Sequence, residues 1–209
     1  MNEINDSFFK INIFVLGNAG VGKTCFILKY INNDFQSNYL NTIGVDLMAK
    51  TITLPNDEKV KISFYDTAGE ERYRSISFNL IKLADGILLM YDICDQQSFK
   101  AIPGWLESIR DAKGSNYPII LIGNKCDLMD KRIVQREEGE NVAAKNELSF
   151  YESSNKEGIN IDEPVMDLVS IIMKDLKKDK KINGNNDNKS IKINNKGSKK
   201  HGKKKCCKN

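Results

Sequence analysis

The chain is 209 residues long, with 40% hydrophobic and 29% charged residues, enough for one sizeable hydrophobic core and hardly for two. Its formal net charge of +4 is unevenly placed: 13 lysines against 2 aspartates follow Leu176, so the tail carries +11, while 19 basic and 26 acidic residues leave the body at −7. A tail of this kind is no stretch of core and points to an anionic partner such as a membrane surface or nucleic acid.

Several functions are excluded at once. Apolar runs such as 87–90 have the length of a strand, far short of the ~18 residues that span a bilayer. Residues 1–10 contain Glu3 and Asp6 and lack the basic-then-apolar order of a signal peptide, so the chain is expected to stay in the cytosol. Cys25, Cys94 and Cys126 show no metal-ligand spacing and read as reduced thiols in or near a core. The one histidine, His201, lies in the tail, which removes Ser-His-Asp, Cys-His and histidine-zinc chemistry from the body.

In chain order, residues 8–16 form an apolar strand that ends in a glycine-rich turn, and a helical pattern follows over 23–31. Two extended segments, 45–54 and 59–65, flank the turn 55–58 as a hairpin. Further strands are expected at 87–93, 118–123 and 149–152. Helices are expected at about 71–83, 97–112, 135–146 and 162–176. Trp105, Leu106 and Ile109 read as ordinary core of the second of these helices. In the last, Val165, Leu168, Val169, Ile172 and Leu176 share one face, with Pro164 tolerated in the first turn. Strands alternating with helices predict a mainly parallel sheet covered on both faces. After Leu176 too little apolar surface remains to offset ordering entropy, so 177–209 is expected to be a disordered basic tail.

Three segments carry chemistry. Gly17, Asn18, Ala19, Gly20, Val21, Gly22, Lys23 and Thr24 fit the phosphate-loop pattern G-x-x-x-x-G-K-[ST], followed by Cys25 on the first helix. Glycines let successive N–H groups turn inward around an anion, the helix N-terminus adds its dipole, Lys23 neutralises the outer phosphates, and Thr24 offers a hydroxyl to Mg²⁺. Asn124, Lys125 and Asp127, after the fifth strand, fit N-K-x-D. The Asp127 carboxylate can accept from the ring N–H and exocyclic amine of guanine, a donor pair adenine lacks. Glu152, Ser153, Ser154, Asn155 and Lys156, after the sixth strand, would add contacts to the base from a loop. Asp66, Thr67, Ala68 and Gly69 close the third strand, where Asp66 can hold a magnesium-bound water and the Gly69 N–H can meet a γ-phosphate. Thr42, in the preceding loop, is a further candidate hydroxyl for Mg²⁺.

Together these segments resemble the Ras superfamily of small GTPases over about 8–176, and within it the Rab family. Thr42-Ile43-Gly44-Val45-Asp46, Glu71-Arg72-Tyr73-Arg74-Ser75-Ile76 and Tyr91-Asp92-Ile93 resemble Rab signature segments. The resemblance implies an α/β small G domain of the P-loop NTPase class: six strands, one of them antiparallel, flanked by five helices, preceded by an extension over 1–7. It implies bound GTP or GDP with Mg²⁺, hydrolysis of GTP to GDP assisted by Lys23, Gly69 and Glu70, and Phe35 packed against the guanine. A monomer is implied, served by an exchange factor, an activating protein, a GDP-dissociation inhibitor and effectors in vesicle traffic, with no nucleic-acid polymer as ligand. Three departures stand out. Glu70 occupies a position usually held by glutamine, Ala19 one often held by serine, and Leu47, Tyr65 and Leu80 correspond to the aromatics that usually meet effectors.

Cys206 and Cys207 near the end resemble the two-cysteine geranylgeranylation signals of Rabs, which implies residence on the cytoplasmic face of a membrane and cycling with the cytosol. Lys199, Lys200, Lys203, Lys204 and Lys205 would add attraction to an anionic leaflet. Glu70 keeps a second reading open: a membrane-tethered scaffold that holds GTP with little hydrolysis.

Overall fold

The computed structural model describes residues 9–33, 45–67 and 81–184. The chain divides into two compact units, Met1–Lys174 and Asp175–Asn209. The first unit holds a six-stranded sheet in the order β2-β3-β1-β4-β5-β6, comprising β1 (Phe9–Leu16), β2 (Val45–Thr53), β3 (Lys59–Thr67), β4 (Gly86–Asp92), β5 (Ile119–Asn124) and β6 (Ser149–Ser153). Every adjacent pair is parallel except β2 with β3, a hairpin whose register runs from Val45 opposite Thr67 to Thr53 opposite Lys59. This is the mixed sheet that the sequence implied.

The burial pattern explains the order. All residues of β4 and β5 are buried, as near-continuous apolar runs covered on both faces should be. Strand β3 alternates buried and less buried residues along its first half, as befits the inner strand of the edge hairpin. On one face Phe14, Leu16, Leu89, Tyr91 and Leu121 cluster with Trp105, Leu106 and Ile109 of α3 (Ile102–Lys113) and Ala143 of α4 (Arg136–Lys145). On the other, α1 (Lys23–Asn32) buries Phe26 and Ile27, and α5 (Asp162–Gly184) lays Leu168 and Ile172 over Gly86, where an added Cβ would meet their methyls at 2.9 and 2.8 Å.

Two helices differ from expectation. The helix expected over 97–112 breaks at Ala101 into α2 (Gln96–Lys100) and α3. Pro103 has no N–H to give Phe99, and its ring would collide with that carbonyl in a continuous helix. Asp95 caps α2 by accepting from the Gln97 N–H at 2.9 Å. Helix α5 does not stop near Leu176 but runs to Gly184, so the start of the expected disordered tail is helical. The apolar stripe ends where predicted, but lysine is a good helix former, and Lys178 pairs with Asp175 at 3.0 Å one turn back. A 3-10 turn at Met129–Lys131 had no signal in the apolar pattern. The helix expected over 71–83 lies outside the described residues except for its last three.

Candidate nucleotide site

The loop between β1 and α1 is shaped by its glycines. Gly17 has φ +140°, and a Cβ there would strike the carbonyl of Met90 on β4. Gly22 caps α1 at φ +98°, where a Cβ would meet the amides of Asn124 and Asn155 at 2.5 and 2.8 Å. Gly20, at φ +77°, has nothing within 4 Å on its Cβ side, so the loop opens there. Lys23 is only 5% exposed and donates to the carbonyls of Gly17 and Asn18, both at 2.9 Å. Burial lowers its pKa to about 8 against the opposing pull of Asp66. An anion seated on the loop would favour the charged form further and raise this pKa again.

The Thr24 hydroxyl donates to the fully buried carboxylate of Asp66 at the end of β3. Thr67 fixes that strand end by donating to the Val15 carbonyl at 2.8 Å. Among the described residues no three His, Cys, Asp or Glu converge into a self-sufficient metal cage. One hydroxyl beside one carboxylate is the hard-oxygen pair that suits Mg²⁺, which takes its other ligands from phosphates and water.

Two further loops meet the phosphate loop. Asn124 donates to Val21 O at 2.8 Å and accepts from the Ser153 hydroxyl at 3.1 Å. Asn155 donates to the neighbouring carbonyl, Gly22 O, at 2.9 Å. The Ser154 hydroxyl donates to Asp127 at 2.6 Å and accepts from the Glu157 N–H at 3.1 Å, which holds the half-buried Asp127 carboxylate in place. Lys125 sits at φ +67° and pairs with Asp92 at 2.6 Å. Thus Asn18, Val21, Gly22, Lys23, Thr24, Asp66, Asn124, Asp127, Ser154 and Asn155 gather around one loop. Cys25 is half-buried with its thiol pKa raised by burial, and Lys156 is exposed and pairs with Glu157 at 3.4 Å. Phe35, Thr42, Gly69, Glu70, Leu80, Cys206 and Cys207 lie outside the described residues.

Sequence reading missed three supports. Asp92, read only as part of a signature segment, anchors Lys125. Arg132 forks onto Glu152 at 2.6 and 2.8 Å, behind both base loops. The indole of Trp105 donates to the Asn18 side chain at 3.1 Å. A charged residue at the end of an apolar strand, and a core indole whose N–H needs an acceptor, were the available signals.

Comparison with known proteins agrees with this geometry. Residues 12–174 match the Ras family. The chain is 38% identical to the Ras-related protein Rab-13 of Rattus norvegicus over 173 residues, covering 83% of this chain and 84% of that protein. It is 41% identical to the GTP-binding protein Rab-3D of Rattus norvegicus over 80% of this chain and 75% of the relative. It is 39% identical to human Ras-related protein Rab-3A over 80% and 74%. With this match along most of its length and the loops 17–24 and 124–127 on one mixed sheet, the chain belongs to the Ras family and, within it, to the Rab small GTPases, which hydrolyse GTP to GDP.

Proposed function

We propose that this Rab GTPase is a switch of vesicle traffic that holds GTP or GDP with Mg²⁺ on the loop 17–24, reads guanine through Asp127, and recruits effectors in its GTP form. The observation that carries this reading is the pair of amides, Asn124 and Asn155, that donate to the consecutive carbonyls of Val21 and Gly22. Through them the base loops and the phosphate loop form one body, as a ligand with a base at one end and phosphates at the other requires.

In this reading the loop N–H groups and the Lys23 ammonium bind the phosphates, and the α1 N-terminus adds its dipole. Thr24 would hold Mg²⁺ and Asp66 a water bound to it, joined by Thr42 in the GTP form; the metal would supply charge neutralisation to the phosphates. Phe35 covers the base, and Ser154 keeps an Asp127 oxygen aimed at it. During hydrolysis water attacks the γ-phosphorus in line, its bond to the bridging oxygen breaks, and GDP and phosphate leave. The Gly69 N–H and Lys23 would stabilise the charge that spreads over the γ-oxygens, and Glu70 stands in the sequence where the resemblance places the residue that orients the attacking water. Leu47, 58% exposed on β2, and Tyr65, opposite it on β3 and stacked on Phe14 at 4.3 Å, offer an effector surface less aromatic than most Rabs present.

Geranylgeranyl groups on Cys206 and Cys207 would hold the switch on the cytoplasmic face of a membrane, with the lysine-rich tail favouring an anionic leaflet. Among the described residues no helix is long and apolar enough to cross one. An exchange factor, an activating protein and a GDP-dissociation inhibitor complete the cycle. Asp127→Asn tests the base assignment: the amide replaces an acceptor with a donor that meets the xanthine carbonyl, so competition against a fluorescent nucleotide should shift preference from GTP toward XTP. An unchanged preference would remove Asp127 from the base site. Glu70 supports a second reading, a GTP-holding scaffold with little turnover, because an ionised carboxylate cannot donate to the γ-phosphate as glutamine does.

A further inference from the structure

We propose that Trp105 is a positioning residue for the phosphate loop, acting through Asn18. Its ring lies in the core cluster with Phe14, Leu16, Leu89 and Tyr91 and is 3% exposed, which phenylalanine could also achieve. What packing does not require is the direction of the indole N–H, which crosses 87 residues of sequence to donate to the Asn18 Oδ1 at 3.1 Å. The main-chain carbonyl of the same Asn18 accepts from Lys23 Nζ at 2.9 Å. One loop residue is therefore held by its side chain from α3 and by its main chain from the phosphate-binding lysine. A buried indole left without an acceptor carries a desolvation cost, so the sheet-covering helix favours the loop conformation that presents Asn18. That is also the conformation in which Lys23 is cradled. The coupling lowers the freedom of the loop once nucleotide leaves and so slows nucleotide release. Because Trp105 is the only tryptophan in the chain, its emission reports the state of the loop.

This inference rests on reading the loop as the phosphate site, and the test separates the two. The full chain is loaded with a fluorescent GDP analogue in Mg²⁺ and chased with excess GDP. Trp105→Phe and Asn18→Ala should each speed release roughly fivefold, the factor matching one net neutral hydrogen bond. The double variant should release no faster than either single one, because both remove the same contact. Asn18→Asp, which keeps an acceptor, should stay near the parent. The tryptophan emission should shift when EDTA strips nucleotide from the parent, and this shift should shrink in Asn18→Ala, which also carries the test if Trp105→Phe folds poorly. Release unchanged in Asn18→Ala, or single effects that multiply in the double variant, overturns the coupling. Lys23→Ala serves as the control. If it releases nucleotide as slowly as the parent, the phosphate-site reading itself falls; if it releases fast while Asn18→Ala does not, only the role of Trp105 falls.

Discussion

Replacing Arg132 with methionine should destabilise the domain by about 3–5 kcal/mol, the range for stranding one partner of a buried ion pair. Arg132 and Glu152 have side chains only 9% and 8% exposed and meet in a two-pronged contact at 2.6 and 2.8 Å. Removing the guanidinium leaves a largely buried carboxylate without its partner, and frees the Val134 carbonyl, which accepts from Arg132 at 3.0 Å. The double replacement Arg132→Met with Glu152→Met removes both charges, so most of the loss should be recovered, with an outcome between neutral and about 1–4 kcal/mol more stable than the parent. The assay is urea unfolding at fixed saturating GDP and Mg²⁺, followed by the emission of Trp105 and compared at constant m. Glu152 opens the Ser154-Asn155 loop and its carbonyl accepts from the Asn160 amide at 2.6 Å, so the single variant should also release GDP faster than the parent. A single-variant loss below about 1 kcal/mol would show that solvent screens this pair as it does a surface one, and would refute the argument.

Two other outcomes follow from the same principles. Tyr91→Phe should stabilise the domain by roughly 1 kcal/mol in the same urea assay, because the Tyr91 hydroxyl is buried against Gly123 and Gly139 with no hydrogen-bond partner among the described residues; a loss of stability would mean that the hydroxyl is satisfied. Changing both Cys206 and Cys207 to serine should move the protein from the membrane to the soluble fraction, with loss of lipid by mass spectrometry; a double variant that pellets like the parent would place the anchor elsewhere.

The strands were legible because β4 and β5 are near-continuous apolar runs that demand cover on both faces while β3 alternates, and the strand ends fell within two residues of expectation. The loop 17–24 and the segment 124–127 were legible because their chemistry is local: each pattern lies on consecutive residues. Pro103 was overlooked because the apolar stripe through Trp105, Leu106 and Ile109 continues past the break, and periodicity carries no information about a missing N–H. The extension of α5 to Gly184 was illegible for the converse reason, since helix propensity and a charge pair outlast the stripe. Least legible were the side chains that reach across the fold. Nothing in the sequence couples Trp105 to Asn18, Asp92 to Lys125 or Arg132 to Glu152; only the strand order brings them together. Ordinary core was a sound reading of the Trp105 ring and an incomplete one of its N–H.

The central claim, that the site runs a hydrolysing switch despite Glu70, is tested most directly by single-turnover hydrolysis of GTP bound to the full chain. Parent and Glu70→Gln are compared with Mg²⁺ alone and with a Rab-type activating protein. Glutamate can only accept from the attacking water and brings negative charge toward the γ-phosphate, yet it is the stronger general base, so the two intrinsic rates are set by opposing effects. An activating protein that supplies its own donors relieves the side chain of positioning the water. The account predicts that the activator accelerates hydrolysis strongly in both proteins. Strong acceleration of Glu70→Gln with the parent left inert would contradict it, and would make the natural protein a GTP-holding scaffold.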